Sequence, residues 1–286
     1  MTEDAYRLFL PPCRTTPVVF SSPHSGCAYA DTFGNRSRLD ALTLRSSEDA
    51  FVDRLFASAP QAGAPLIAAS APRAFLDLNR AAEELDAALI ADVPRQPHNP
   101  RISSGLGVIP RVVSAGRVIY RGKLRRDEAE ERLQRYWHPY HRMLKQLLAE
   151  SLESFGQTIL IDCHSMPHEA IEAHGRIGGA YPEVVLGDRY GAAAERAVVD
   201  RVAGAFRAAG LRVARNTPFA GAYITQAYGR PSRRQHAVQV EIDRSLYMDE
   251  ARILPHPDFD TFQALIAQAV ADITDIGREA LPLAAE

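Results

Sequence analysis

Thr158 to Pro167 read TILIDCHSMP, an apolar run that ends in an aspartate, a histidine and a turn former. Val18 to Gly26, VVFSSPHSG, repeat the arrangement, with His24 held between Pro23 and Ser25-Gly26. A short apolar run bounded by turn residues predicts a buried strand. In open α/β sheets, ligands sit beyond the carboxyl ends of the strands. Two histidines at two such ends raise the question of whether both hold one metal ion.

Further apolar runs predict strands at Pro65–Ala69, Val184–Gly187, Arg212–Arg215 and Ala237–Ile242, besides Pro17–Ser21 and Gln157–Ile161. Amphipathic stretches predict helices over Glu48–Ala59, Arg126–Glu153, Gly191–Ala209 and Asp258–Asp275. Pro139 lies inside the second of these and should kink or split it. Strands alternating with helices point to the α/β class: a three-layer sandwich with a mixed, mostly parallel sheet between helices. The stretch from Asp92 to Gly122 is rich in Pro, Gly, Arg and Ser. It reads as a long insertion carrying one hairpin, and the expectation is one domain over residues 1–286.

The chain has 286 residues, 46% hydrophobic and 24% charged, enough for one large core. A formal net charge of −2 provides no field to attract nucleic acid or an anionic membrane. Cys13, Cys27 and Cys163 have no CxxC spacing, which argues against a disulfide framework and for a reducing compartment. With no signal-peptide pattern and no run long enough to span a bilayer, the expectation is a cytoplasmic protein. Nothing in the sequence sets the oligomeric state.

Two imidazoles and one carboxylate with an open fourth position make the ligand set of a catalytic zinc site. His24 and His164 supply the imidazoles. The acid would come from Glu48 or Asp49 in RSSEDAFVDRLF, at the start of a helix capped by Ser46 or Ser47. Asp162, two residues before His164, or whichever of Glu48 and Asp49 is spare, would orient a ligating ring. In PRAFLDLNR, Arg73, Asp77, Asn79 and Arg80 crowd polar groups among apolar ones. Asn79-Arg80 reads as a clamp for a substrate carboxylate oriented by Asp77, and Arg73 as a donor to a developing oxyanion. Glu241 lies inside the apolar strand of HAVQVEID; a carboxylate there needs a partner or a task, and beside activated water it would be a general base. Tyr120, Arg121 and Thr225, with Thr217 and Tyr223, are further candidates for the pocket. His138 and His141 in HPYH pack the kinked helix, and His168 and His174 belong to a solvated loop. A one- or two-glycine turn at Gly187-Asp188 is too little for a phosphate cradle.

These motifs occur together and in order: PHSG, SEDAFVDRLF, FLDLNR, GLGVIPRV, VIYRGKL, IDCHSMP, FAGAYITQAYGRP and HAVQVEIDRSLYMDE. In this the chain resembles the N-formylglutamate amidohydrolase (deformylase) family almost end to end. That family is similar in turn to the zinc carboxypeptidase and aspartoacylase group. The resemblance implies a zinc exopeptidase-like mixed sheet flanked by helices, and one Zn²⁺ per chain (or another divalent metal) on His24, His164 and an acid. It implies Asn79-Arg80 as the clamp, Arg73 as the oxyanion donor and Glu241 as the base. The wider group takes its acid three residues after the first histidine, where this chain has Cys27. Asp49 matches the acid of the deformylase pattern, and Glu48 remains the alternative. Arg73 stands one residue closer to the Asn-Arg pair than its counterpart in aspartoacylase.

The implied reaction is hydrolysis of an N-formyl amino acid, N-formyl-L-glutamate above all, to formate and the free amino acid, as in histidine degradation. An aminoacylase or carboxypeptidase acting on other N-acyl amino acids or small peptides would use the same site. A metal-free dicarboxylate-binding protein is the reading from another class. The expected partner is a small N-acyl amino acid, with neither nucleic acid nor membrane.

Overall fold

The computed structural model describes residues 4–29, 31–94, 99–175 and 179–278. Two compact units alternate along the chain: one comprises 1–7, 23–50 and 68–143, the other 8–22, 51–67 and 144–286. The strands are β1 (Tyr6–Phe9), β2 (Val18–Ser22), β3 (Leu66–Ala69), the short β4 (Val112–Val113) and β5 (Arg117–Val118), β6 (Thr158–Met166), β7 (Val184–Gly187), β8 (Val213–Arg215), β9 (Gln235–Asp243) and the short pair β10 (Met248–Asp249) and β11 (Leu254–Pro255). Seven of them form one sheet in the order β1-β3-β2-β6-β9-β7-β8. β6 is parallel to β2 on one side and to β9 on the other; β7 is antiparallel to β9 and parallel to β8. The fold is therefore α/β with a mixed, mostly parallel sheet flanked by helices.

β6 and β9 run past their expected ends, to Met166 and Asp243, because each pairs with the other along its whole length. In this register Ser21 and Gln239 flank Asp162, and Glu241 lies beside His164. Side chains alternate along a strand. Asp162 and His164 thus share a face of β6, and Gln239 and Glu241 share a face of β9. The intervening Ile161, Cys163, Val238 and Val240 are fully buried. β1 has no counterpart among the expected strands; YRLF is a half-exposed edge strand without the continuous apolar run that marks its neighbours.

The helices correct the sequence expectation in three places. Only Val52–Leu55 is α-helical within Glu48–Ala59, because Phe51 is left-handed (φ 66°). The amide of Asp49 is also committed to the carbonyl of His24 (3.0 Å). Ser46 and Ser47 consequently cap no helix there; Asp40 caps the preceding one, Ala41–Arg45. The second correction concerns Gly191–Ala209, whose helix begins at Arg196, after left-handed Arg189, Tyr190 and Gly191. Helix Phe259–Thr274 follows its expected bounds and packs against Arg196–Ala208. Its buried Phe259, Phe262, Ile266, Val270 and Ile273 recur at helical spacing. Within the insertion, β4 and β5 form the expected hairpin, turning through left-handed Ala115 and Gly116; residues 95–98 lie outside the described residues. Around Pro139 the helix is neither broken nor split. Arg126–Arg132 passes through a π-helical turn, Leu133–Trp137, into His138–Phe155.

Candidate metal centre

His24 follows β2 through Pro23 and lies almost wholly out of solvent. The glycine of PHSG is required by packing: a Cβ at Gly26 would stand 2.2 Å from the carbonyl oxygen of Ala71. The His24 ring is held on both sides. Its Nε2 donates to Asp77 Oδ1 (2.7 Å), and its Nδ1 lies 3.4 Å from Asp49 Oδ2. A proton on Nε2 turns the Nδ1 lone pair toward Asp49, the tautomer a metal ligand needs.

Asp77 thus orients His24, a task the sequence did not assign to it. The same carboxylate accepts from Arg73 Nε (3.1 Å) and from the backbone N–H of Asn79 (2.8 Å). Burial pushes its pKa up, but the interactions with His24 and Arg73 outweigh burial and hold it well below the usual carboxylate range.

His164 is arranged in the same way from within β6. Its Nε2 lies 3.0 Å from Asp162 Oδ2, on the face the two residues share, and both are buried. On the adjacent strand Glu241 accepts from Gln239 Nε2 (2.7 Å), and the Gln239 side-chain Oε1 accepts from the N–H of Ala222 (3.1 Å). The sequence reading missed Gln239. Its signal was present, since Gln239 stands two residues before Glu241 and therefore on the same strand face.

His24, Asp49 and His164 each offer a ligand atom, and these atoms lie within 4.8 Å of one another, all three residues buried. Two imidazoles and a carboxylate are a fitting donor set for zinc, and each ring is backed by its own carboxylate. Glu48 is outside this group. It accepts from Tyr29 Oη (2.6 Å) and pairs with Arg45 (3.2 Å).

Arg80 is buried, and among the described residues its hydrogen bonds go to the carbonyls of Leu106 (3.0 Å) and Asn79 (3.2 Å), not to a carboxylate. Burial lowers its pKa. A buried guanidinium whose hydrogen bonds go to neutral carbonyls, with Asp77 and Glu84 acting on it only through their charge, can still accept an anionic ligand. The hydroxyls of two pocket candidates are bonded within the fold. The Tyr120 hydroxyl accepts from Arg132 (2.8 Å), and the Thr225 hydroxyl donates to Ala222 O (2.9 Å) within its own helical turn. Arg121 is exposed. His141 donates to Leu78 O (2.9 Å), as packing of the helix requires. His168, expected on a loop, opens helix His168–Glu172 and bonds Asp243 (2.8 Å). Asp188 binds Arg215 and Asn216, which leaves it a structural role.

A sequence profile of the N-formylglutamate amidohydrolase family matches residues 16–248. The chain belongs to this family. Among its relatives, an N-formylglutamate deformylase of Pseudomonas aeruginosa is 30% identical over 275 residues, covering 92% of this chain and 94% of that protein. One of Pseudomonas putida is 30% identical over 241 residues, 82% of each. The crystal structure of an N-formylglutamate amidohydrolase from Ralstonia eutropha superposes with a TM-score of 0.89 at 33% identity, covering 96% of this chain and 99% of that one. A gene product of Agrobacterium tumefaciens, 17% identical with a TM-score of 0.61, shares the fold. As an N-formylglutamate amidohydrolase family member, the chain is a hydrolase acting on an amide bond. Among the described residues no helix is long and apolar enough to cross a membrane.

Proposed function

We propose that this enzyme hydrolyses N-formyl-L-glutamate to formate and L-glutamate with the help of one zinc ion. The observation that carries this reading is the buried His24–Asp49–His164 group, its rings backed by Asp77 and Asp162, in a chain of this family. Zinc held there would supply the Lewis acidity that polarises an amide carbonyl and acidifies water.

The chain's own residues divide the remaining work. Glu241, fixed by Gln239, takes a proton from the attacking water and delivers it to the amine nitrogen as the C–N bond breaks. Arg73, anchored on Asp77 through Nε, directs its Nη groups at the carbonyl oxygen as charge develops there. Asn79 and Arg80 hold the α-carboxylate of the leaving amino acid, and Arg121 is the cation assigned to the side-chain carboxylate. The profile match spans segments of both units, and the whole chain is read as one catalytic domain.

The test is elemental analysis of protein purified without added metal, together with product release from N-formyl amino acids, N-acetyl-glutamate and dipeptides. Near-stoichiometric zinc and fastest formate release from N-formyl-L-glutamate are expected. Full activity without metal would refute the zinc site, and a preference for acetyl or peptide substrates would reassign the acyl group.

A further inference from the structure

The segment Phe75–Arg80, FLDLNR, has no regular secondary structure, yet Leu76, Asp77, Leu78, Asn79 and Arg80 are all buried. Buried carbonyls outside a ladder or helix need other donors. Three come from one helix. Arg132 Nη1 donates to Phe75 O (3.1 Å), His141 Nε2 to Leu78 O (2.9 Å) and Trp137 Nε1 to Arg80 O (2.9 Å).

The spacing of these donors is not that of an α-helix. Arg132 and Trp137 are five residues apart, which at 3.6 residues per turn places them about 140° apart round the axis. The intervening turn is π-helical, however, with the His138 N–H bonded to Leu133 O. In a π-turn, positions five apart return to one face. Four residues further on, His141 continues that face at ordinary α spacing, its ring 4.1 Å from that of Trp137. Pro139 accounts for the wide turn. It has no N–H to give and its ring would meet the Arg135 carbonyl in a continuous α-helix.

We infer that the π-turn at Leu133–Trp137 is a positioning device for substrate recognition. It aligns Arg132, Trp137 and His141 on the carbonyls of the segment that presents Asn79 and Arg80, and so fixes the clamp for the α-carboxylate. Arg132, Trp137 and His141 are positioning residues and touch no substrate. The inference rests on the clamp role proposed above for Arg80.

The experiment compares N-formyl-L-glutamate with its α-carboxamide in the parent, Trp137→Phe, His141→Leu and His141→Gln enzymes. Trp137→Phe keeps an aromatic ring, though a smaller one, and removes the donor; His141→Gln retains a donor that His141→Leu lacks. The parent is expected to favour the acid. Trp137→Phe and His141→Leu should lose about fivefold or more in kcat/KM on the acid, chiefly through KM, with little change on the amide. His141→Gln should recover much of the preference. If the parent shows no preference for the acid, the clamp reading fails and this inference with it. If the parent shows it and the folded variants keep it, or lose activity equally on both substrates, the helix has only a structural role and the positioning inference alone is overturned.

Discussion

Asp49 and Glu48 are adjacent carboxylates with opposite surroundings. Asp49 faces an imidazole 3.4 Å away, while Glu48 is bonded to Tyr29 and Arg45. Asp49→Asn is expected to abolish stoichiometric zinc, and Glu48→Gln to leave zinc content unchanged, by elemental analysis of each purified variant. Asp77 acts on the same ion through His24. Its replacement by Asn should weaken zinc binding about 10–100-fold in a chelator competition, the usual cost of removing a carboxylate that orients a ligating histidine. Glu241 belongs to the chemistry and not to the metal. Glu241→Gln should lower turnover by ~10²-fold or more with zinc retained, and full activity in that variant would remove it as the base. Each assignment follows from which atom a side chain already spends inside the fold.

Strands and helices set those atoms in place, and one contact between them depends on pH. His168, at the start of helix His168–Glu172, donates from Nδ1 to Asp243 at the end of β9. The hydrogen bond to Asp243 raises its pKa above the ordinary 6.5; partial burial opposes the rise, and the charges of Asp243, Glu172 and Glu250 add to it. A raised value means that the folded state binds the proton more tightly than the unfolded chain does. The contribution to stability is complete below pH 6.5 and is lost as pH rises through the folded-state value. The difference in urea midpoint between parent and His168→Gln should therefore be larger at about pH 5.5 than at about pH 9. An equal difference at both would mean that the charge of His168 takes no part. The exposure of the ring keeps the effect small.

At the scale of the whole molecule, a ligand that binds only the folded chain stabilises it. Chelation should lower the melting temperature and zinc should restore it, whereas a His24→Ala/His164→Ala protein should respond to neither treatment. A melting curve indifferent to zinc in the parent would contradict a shared ion.

Much of this was legible in the residues alone. Apolar runs marked six of the seven strands of the sheet, and His24 stood visibly past a strand end; His164, expected at the end of another, lies inside β6, which runs on to Met166. The hairpin of the insertion was also expected from its turn residues, whereas the helix expected to kink or split at Pro139 runs on through a π-turn. These features depend on interactions between near neighbours in the chain, and periodicity and turn chemistry record such interactions directly. The choice of Asp49 over Glu48 was of another kind, as was the bond between His24 and Asp77, 53 residues apart. The fit of three helix side chains to three carbonyls of FLDLNR likewise depends on the path of the chain between the partners. Only the folded backbone sets that path, because burial decides which polar atom is withdrawn from water and must find its partner in the protein.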